Sequence, residues 1–274
     1  MSDLDPRNTL ARDDLAAEAL EGIVRAGRFA RPQAWQCSVG STAIRRAPEG
    51  AAEQMDQLLF GEGFEAIDRK DGWLWGQARR DGYVGWVAED ALVSPVIAPT
   101  HRVAALRTYA FPEPDIKSGP PVLLTMNALV TVEGSDGRFA RVARAGYVAQ
   151  AHLADLLHFE RDAAAVAELY VGAPYQWGGR ESVGLDCSGL VQQALLACGR
   201  GCPRDADMQE RELGETIAAV ELRRGDLVFW TDHVGMLLDE GRLIHANGWH
   251  MAVAVEPLAS AIERNGAPTA YRRP

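Results

Sequence analysis

In the run LDCSGLV, residues 185–191, a cysteine stands between an aspartate and a serine–glycine pair, immediately before an apolar-periodic segment. A thiol in such a place can attack an acyl carbon. A cysteine nucleophile then needs a base, and the base needs a partner that orients it. Two histidines in apolar surroundings, His233 in HVGM and His245 in IHA, have the right chemistry for those roles. The other cysteines are Cys37, Cys198 and Cys202. Their spacing outlines no disulfide framework, and Cys198 and Cys202 have no second ligand pair nearby, so neither a metal nor any other cofactor is implied. Taken one at a time, a core cysteine and incidental strand histidines are the competing explanation for the same residues.

The elements around these side chains decide whether they can meet. Leu190, Val191, Ala194, Leu195 and Cys198 mark one face of a helix that starts near Asp186 or Cys187 and stops at Gly199. Cys187 is then expected at the positive end of the helix dipole, which favours the thiolate. The free amides of that first turn would face an oxyanion, and Gly189 would leave room for substrate. The runs DLVFWT, HVGMLLD and RLIHA (226–231, 233–239 and 242–246) read as strands. With Asp239-Glu240-Gly241 as the loop, position 235 faces 245 and position 233 faces 247. His233 and His245 then share a face as diagonal neighbours, with backbones roughly 7–8 Å apart. A slip of one residue would put them on opposite faces.

The 274-residue chain is 47% hydrophobic, enough for two or three compact domains, and its formal net charge is −10. That charge argues against nucleic acid or an anionic membrane surface as partner. No apolar run approaches the ~20 residues of a membrane span, so no membrane insertion is expected. The acidic start MSDLDPRNTLARDDLAAEAL lacks the pattern of a signal peptide, which gives a cytoplasmic protein with reduced thiols as the expectation. The composition leaves the oligomeric state open.

Residues 1–36 read as a helical arm, with Asp13 or Asp14 capping a helix that carries Leu15, Ala19, Ile23 and Val24 and ends near Gly27. Two stretches then repeat each other. LLFGEGFEAID (58–68) and DGWLWGQARRDGYVGWVAEDAL (71–92) correspond to LLTMNALVTVE (123–133) and DGRFARVARAGYVAQAHLADL (136–156). Both run from an LL start through a short strand and a DG turn to a GYV strand and a closing leucine, the texture of a duplicated small β-barrel or sandwich. The proline-rich FPEPDIKSGPP (111–121) fits a loop inside the second copy, and only the first copy has Trp73, Trp75 and Trp86. From about residue 157 the pattern changes to helices followed by antiparallel strands, an α+β arrangement. FERDAAAVAELYVG (159–172) forms its first helix.

The repeated blocks resemble the bacterial SH3-like domains that accompany cell-wall enzymes. In the last block PYQWGGR, LDCSGLV, PRDADMQ, GDLVFW, HVGM and IHA occur in an order that resembles the NlpC family of papain-like cysteine peptidases. The implied architecture is α+β, two small SH3-like β-barrels (37–96 and 97–157) followed by a papain-like catalytic domain (158–274), helices packed on an antiparallel sheet. The resemblance makes Cys187 the nucleophile, His233 the general base and His245 the orienting residue. By the same resemblance, Tyr175 is expected beside the nucleophile, in support of the oxyanion. The arrangement is similar to that of γ-D-glutamyl-L-diamino acid endopeptidases, which cut muropeptides between D-glutamate and the diamino acid. It therefore implies a muropeptide or stem-peptide substrate with a free L-Ala amine, met in peptide recycling. Asp205 and Tyr83 match positions near that amine, Glu62 is a candidate acidic partner from the first SH3-like domain, and Ser188 and Asp186 flank the nucleophile as candidate substrate contacts. Ala206 stands where some relatives have serine, which removes one side-chain contact. Two alternatives remain at this level: an amidase or acyltransferase on the same Cys–His scaffold, and a non-catalytic wall-binding or assembly module.

Overall fold

The structure, a computed structural model, describes residues 4–274. The chain divides into two compact units, 1–156 and 157–274. In the first, strands β1 (Gln33–Cys37), β2 (Ser41–Arg45), β3 (Gln54–Leu59), β4 (Gly63–Lys70), β5 (Trp73–Ala78), β6 (Val84–Ala88) and β7 (Leu92–Val93) form one sheet in the order β3-β2-β6-β5-β4-β1-β7. The strands that follow are β8 (His101–Val103), β9 (Arg107–Phe111), β10 (Val122–Thr125), β11 (Leu129–Val130), β12 (Val132–Asp136), β13 (Phe139–Val142), β14 (Gly146–Ala149) and β15 (Leu153–Asp155). They form two sheets, β10-β9-β14-β13-β12 and β11-β8-β15, which together repeat the first order with its fourth long strand broken into β11 and β12. A one-turn 3-10 helix precedes the closing strand in each copy. The duplicated sequence thus folds as a duplicated strand order, and the loop 112–121 connects β9 to β10.

Each copy has its own apolar core. Ile44, Leu58, Phe64, Leu74 and Val87 fill the first. Val103, Leu124, Val130, Val142 and Val148 fill the second, together with Leu59 and Phe60 from the first copy's β3 end. The joint is tight: Gly61, at φ 78°, lies so close to the second copy that a Cβ there would sit 1.9 Å from the Leu129 carbonyl oxygen.

The N-terminal arm is not the expected helix. Apart from a 3-10 turn at Glu18–Leu20 it is extended, with Ala16–Ala17 paired in parallel to Phe29–Ala30. Gly22 adopts φ 78°, and the backbone amides of Ala16, Gly27 and Arg28 bond to Arg28, Asp13 and Asp14 rather than along a helix. Tertiary packing overrides the helical periodicity. Leu10, Leu15 and Ala17 join Ile67, Trp75, Val84 and Trp86 in one cluster, and the Arg12 guanidinium lies 4.2 Å from the Trp75 ring centroid. Trp75 and Trp86, peculiar to the first copy, pack against the arm, with Trp73 beside them. That barrel also starts earlier than residue 37, since β1 opens at Gln33.

The second unit contains α1 (Ala163–Glu168), α2 (Cys187–Ala197), α3 (Ala206–Glu212) and α4 (Leu258–Asn265) beside one antiparallel sheet. Its strands are β16 (Glu215–Thr216), β17 (Leu227–Trp230), β18 (His233–Leu237), β19 (Arg242–Asn247), β20 (Ala252–Pro257) and β21 (Ala270–Arg273), ordered β16-β21-β17-β18-β19-β20. Asp162 caps α1 by accepting from the amides of Ala164 and Ala165, and α2 packs on β18 and β19. Among the described residues no helix is long and apolar enough to cross a membrane.

Gly72, at φ 81° in an open turn with nothing near its Cβ position, provides a control for Gly61. Gly72→Ala should cost about 1–2 kcal/mol for the left-handed backbone. Gly61→Ala adds a backbone collision and should lower the midpoint of thermal unfolding distinctly more; equal midpoints would contradict the tight joint.

Candidate active site

The hairpin that carries the histidines has the register set by a three-residue loop. Met236 opposes Ile244 and Leu237 opposes Leu243, and Asp239 Oδ1 holds the turn by accepting from the amides of Gly241 and Arg242. His233 and His245 therefore fall on one face, and His233 Nε2 lies 2.8 Å from His245 Nδ1. The chain of contacts continues one strand further. His245 is fully buried, and its Nε2 lies 2.7 Å from Glu256 Oε1 in β20. Both terminal nitrogens of the Arg264 guanidinium, in α4, donate to the Glu256 carboxylate.

This geometry assigns the protons. Arg264 holds Glu256 below the usual carboxylate range, so it is an ionised acceptor. Burial lowers both His233 and His245 to about 4, with the neighbouring ring and Arg264 adding to the effect at His233. Both rings are neutral at pH 7. His245 Nε2–H donates to Glu256, which leaves Nδ1 as a lone pair; His233 Nε2–H donates to that lone pair, and His233 Nδ1 is left as the basic nitrogen. Sequence reasoning missed Glu256. Carried one strand further, the diagonal rule that paired the histidines would have found it, because Ala254 opposes His245 and Glu256 lies two residues along the same face.

Cys187 opens α2 with Asp186 as its N-cap. Its sulfur accepts from the backbone amide of Val234, next in the chain to His233, and from that of Ser188. These contacts bring the thiol to the strand that carries His233. The expected resting thiolate is not found: burial, and then the Asp186 charge, push the thiol up to about 12. Desolvation outweighs the helix dipole here, because the sulfur is almost completely enclosed. Tyr175 belongs to the same site. Its phenol is pushed above its ordinary value by burial, then by the proximity of Cys187 and Asp186, and its amide donates to Met251.

Asp186 is tied into the protein by several contacts. Its carboxylate accepts from the amides of Gly189 and Gly178, both at 2.8 Å, and forms a two-pronged pair with the buried Arg204 at 2.9 and 2.7 Å. Ser188, expected as a substrate contact, also points inward: its hydroxyl donates to Asp186 and accepts from Arg204 at 2.9 Å. Gly189 does not make room for substrate. A Cβ there would meet the Gly179 carbonyl oxygen at 2.2 Å, so the glycine admits the 176–179 loop. Asp205 occupies the N-cap position of α3 without capping it through its side chain. Arg204 was not anticipated; a single arginine in a loop gives no periodic signal.

Two candidates belong to the N-terminal unit. Glu62 is buried and its carboxylate is occupied, accepting from the Leu59 amide at 3.0 Å and from Arg80 Nε at 2.8 Å. Arg80 also reaches the Asn127 carbonyl in the second copy. This pairing ties the two barrels together and fixes the position of the Glu62 carboxylate. Tyr83 is buried just before β6, with its amide bonded to Asp81.

Arg204→Met should destabilise the protein by about 3–5 kcal/mol, because it strands a buried carboxylate. Adding Asp186→Asn should recover part of that loss. Urea unfolding of both variants checks this, and no recovery in the double variant would show that the pair does not act as a unit.

Each unit contains a match to a known domain. Residues 172–265 match the NlpC/P60 family, and residues 44–92 match the bacterial dipeptidyl-peptidase SH3 domain. The chain is 27% identical over 223 residues to dipeptidyl-peptidase 6 of Lysinibacillus sphaericus, which spans 73% of this chain and 82% of that protein. It is 25% identical over 230 residues to the gamma-D-glutamyl-L-lysine dipeptidyl-peptidase of Bacillus subtilis, covering 75% of this chain and 76% of that one. An NlpC/P60 family protein from Bacillus cereus has the same fold, with a TM-score of 0.76 at 19% identity over 88% of this chain and 99% of that one. The chain thus carries an NlpC/P60 catalytic domain behind an SH3-like N-terminal domain.

Proposed function

We propose that this protein is an endopeptidase that hydrolyses the amide between a γ-D-glutamyl residue and the following diamino acid in cell-wall peptides. The observation that carries the catalytic part is the unbroken chain from Glu256 through His245 to His233, ending at the strand whose Val234 amide holds the Cys187 sulfur. The substrate class rests on the likeness to the two dipeptidyl-peptidases over most of their lengths.

Catalysis begins from a neutral thiol and a neutral imidazole. As the Cys187 sulfur attacks the γ-carbonyl carbon, its proton passes to His233 Nδ1. The imidazolium so formed is stabilised through His245 by Glu256. The developing oxyanion needs donors at the start of α2. Asp186 takes the Gly189 amide and the Ser188 amide faces the sulfur, so the Cys187 amide and the Tyr175 hydroxyl are the groups suited to that role. His233 next protonates the departing amine of the diamino acid. Water then attacks the thioester with His233 again as base, releasing the γ-glutamyl product and restoring the thiol. At the far end of the substrate, Asp205, at the N-cap position of α3, is the carboxylate that the resemblance puts near a free L-Ala ammonium.

Two experiments test this reading. Mass spectrometry of digests of L-Ala-γ-D-Glu-diaminopimelate should show release of the diamino acid by the wild type and none by Cys187→Ala. The N-acetylated peptide should be cut poorly, and Asp205→Asn should raise KM for the free-amine peptide by about tenfold, as expected for loss of one charged contact. Cleavage of neither peptide would remove the γ-glutamyl assignment. The second is the pH profile. The base is active only when unprotonated, so kcat/KM should hold below the ordinary histidine value of 6.5 and fall as pH drops through about 4. An acid limb at 6.5 would contradict the buried relay.

A further inference from the structure

His245, His250 and Glu256 bring one ring nitrogen from each histidine and one carboxylate oxygen within 4.8 Å of one another. We propose that this triangle binds a zinc-type divalent metal ion reversibly, and that the bound metal switches the peptidase off by reversing the tautomers of its two catalytic histidines.

Two imidazoles and one carboxylate are a donor set suited to zinc, with a fourth position left for water. His250 is exposed and gives an entry route from solvent. Its backbone amide donates to Asn247 Oδ1 at 2.8 Å, and its Nδ1 lies 3.0 Å from the same oxygen. With Nδ1–H donating there, Nε2 presents a lone pair, the outer hydrogen bond usual for a metal-binding histidine. Glu256 is held ionised by Arg264. The metal must displace the His245–Glu256 hydrogen bond and bind beside the Arg264 charge, which suits reversible rather than permanent occupancy.

The consequence follows from the proton count. Without metal, each histidine holds its one proton on Nε2. A metal on His245 Nε2 takes the lone pair there, so the ring's proton resides on Nδ1. That N–H now donates to His233 Nε2, and the proton of His233 moves to its own Nδ1. Each ring still holds one proton and none is gained or lost overall. His233 Nδ1, however, has become a donor and cannot take the proton of Cys187. The same contact that orients the base thus makes it switchable.

The test uses the full chain and zinc chloride alone. Calorimetric titration of Cys187→Ala, which lacks the thiol, should show one zinc ion per chain. Adding His250→Ala should weaken that binding by at least about tenfold. This arm measures no activity, so it is decided whatever the substrate is. In the wild type, zinc should inhibit peptide cleavage, and chelation should restore it. The inhibitory concentration should rise by at least about tenfold in His250→Ala, each rate being referred to the same variant without metal. Loss of zinc binding in Cys187→Ala would mean that the metal bridges the thiol and His233 instead. Binding that His250→Ala leaves unchanged would equally overturn the proposal.

Discussion

The buried carboxylate of Asp186 is the constraint on which the nucleophile depends. It caps α2 at Gly189, ties down the 176–179 loop at Gly178 and accepts the paired nitrogens of Arg204. Any one of these contacts could be met by an ordinary capping residue or by water. All three at once fix the start of a helix, a loop and Arg204, two residues before α3, around a single point. Gly189 and Gly179 make the convergence possible, because neither site has space for a side chain. The ion pair has a desolvation cost, and its benefit is geometric: the thiol at the first position of α2 has one place to be.

A second constraint, independent of the first, orders the base. Glu256, His245 and His233 occupy three adjacent strands, and each step between strands is a diagonal on one face of the sheet. Strand register therefore does the work that a rigid loop would do elsewhere. Arg264 closes the far end from α4, so the direction of every N–H in the row follows from one ionised carboxylate. The helix side positions the nucleophile and the sheet side sets the tautomer. The two meet where the Val234 amide faces the Cys187 sulfur.

Much of this was legible in the sequence, for reasons that differ from place to place. The hairpin loop at Asp239–Gly241 sets the register, so period-two alternation was enough to pair the histidines. Asp186 before an apolar-periodic run and Gly199 after it gave the limits of α2. The duplicated LL, DG and GYV signals gave two copies of one strand order. What was not legible depends on partners distant in sequence. Glu62, Ser188 and Asp186 each bond to an arginine distant in sequence, and no local pattern announces those partners. The arm failed as a helix because Leu10, Leu15 and Ala17 answer to Trp75 and Trp86, which lie far along the chain. The thiolate expectation failed because a helix start gives the dipole but says nothing of burial.

That last failure bears on how such a nucleophile is used. A thiol pushed up to about 12 beside imidazoles lowered to about 4 has no resting ion pair. Charge separation between Cys187 and His233 is disfavoured in the empty site by burial on both partners. It becomes favourable only when the negative charge moves onward to the substrate carbonyl oxygen, where the Cys187 amide and the Tyr175 hydroxyl can receive it, while Glu256 balances the positive charge through His245. Activation is then tied to the presence of an acyl group rather than to pH. A protonated, enclosed thiol is also a poor target for oxidants and stray electrophiles. Burial that looks unfavourable for nucleophilicity therefore restricts the reactivity of Cys187 to the one partner that completes the charge balance.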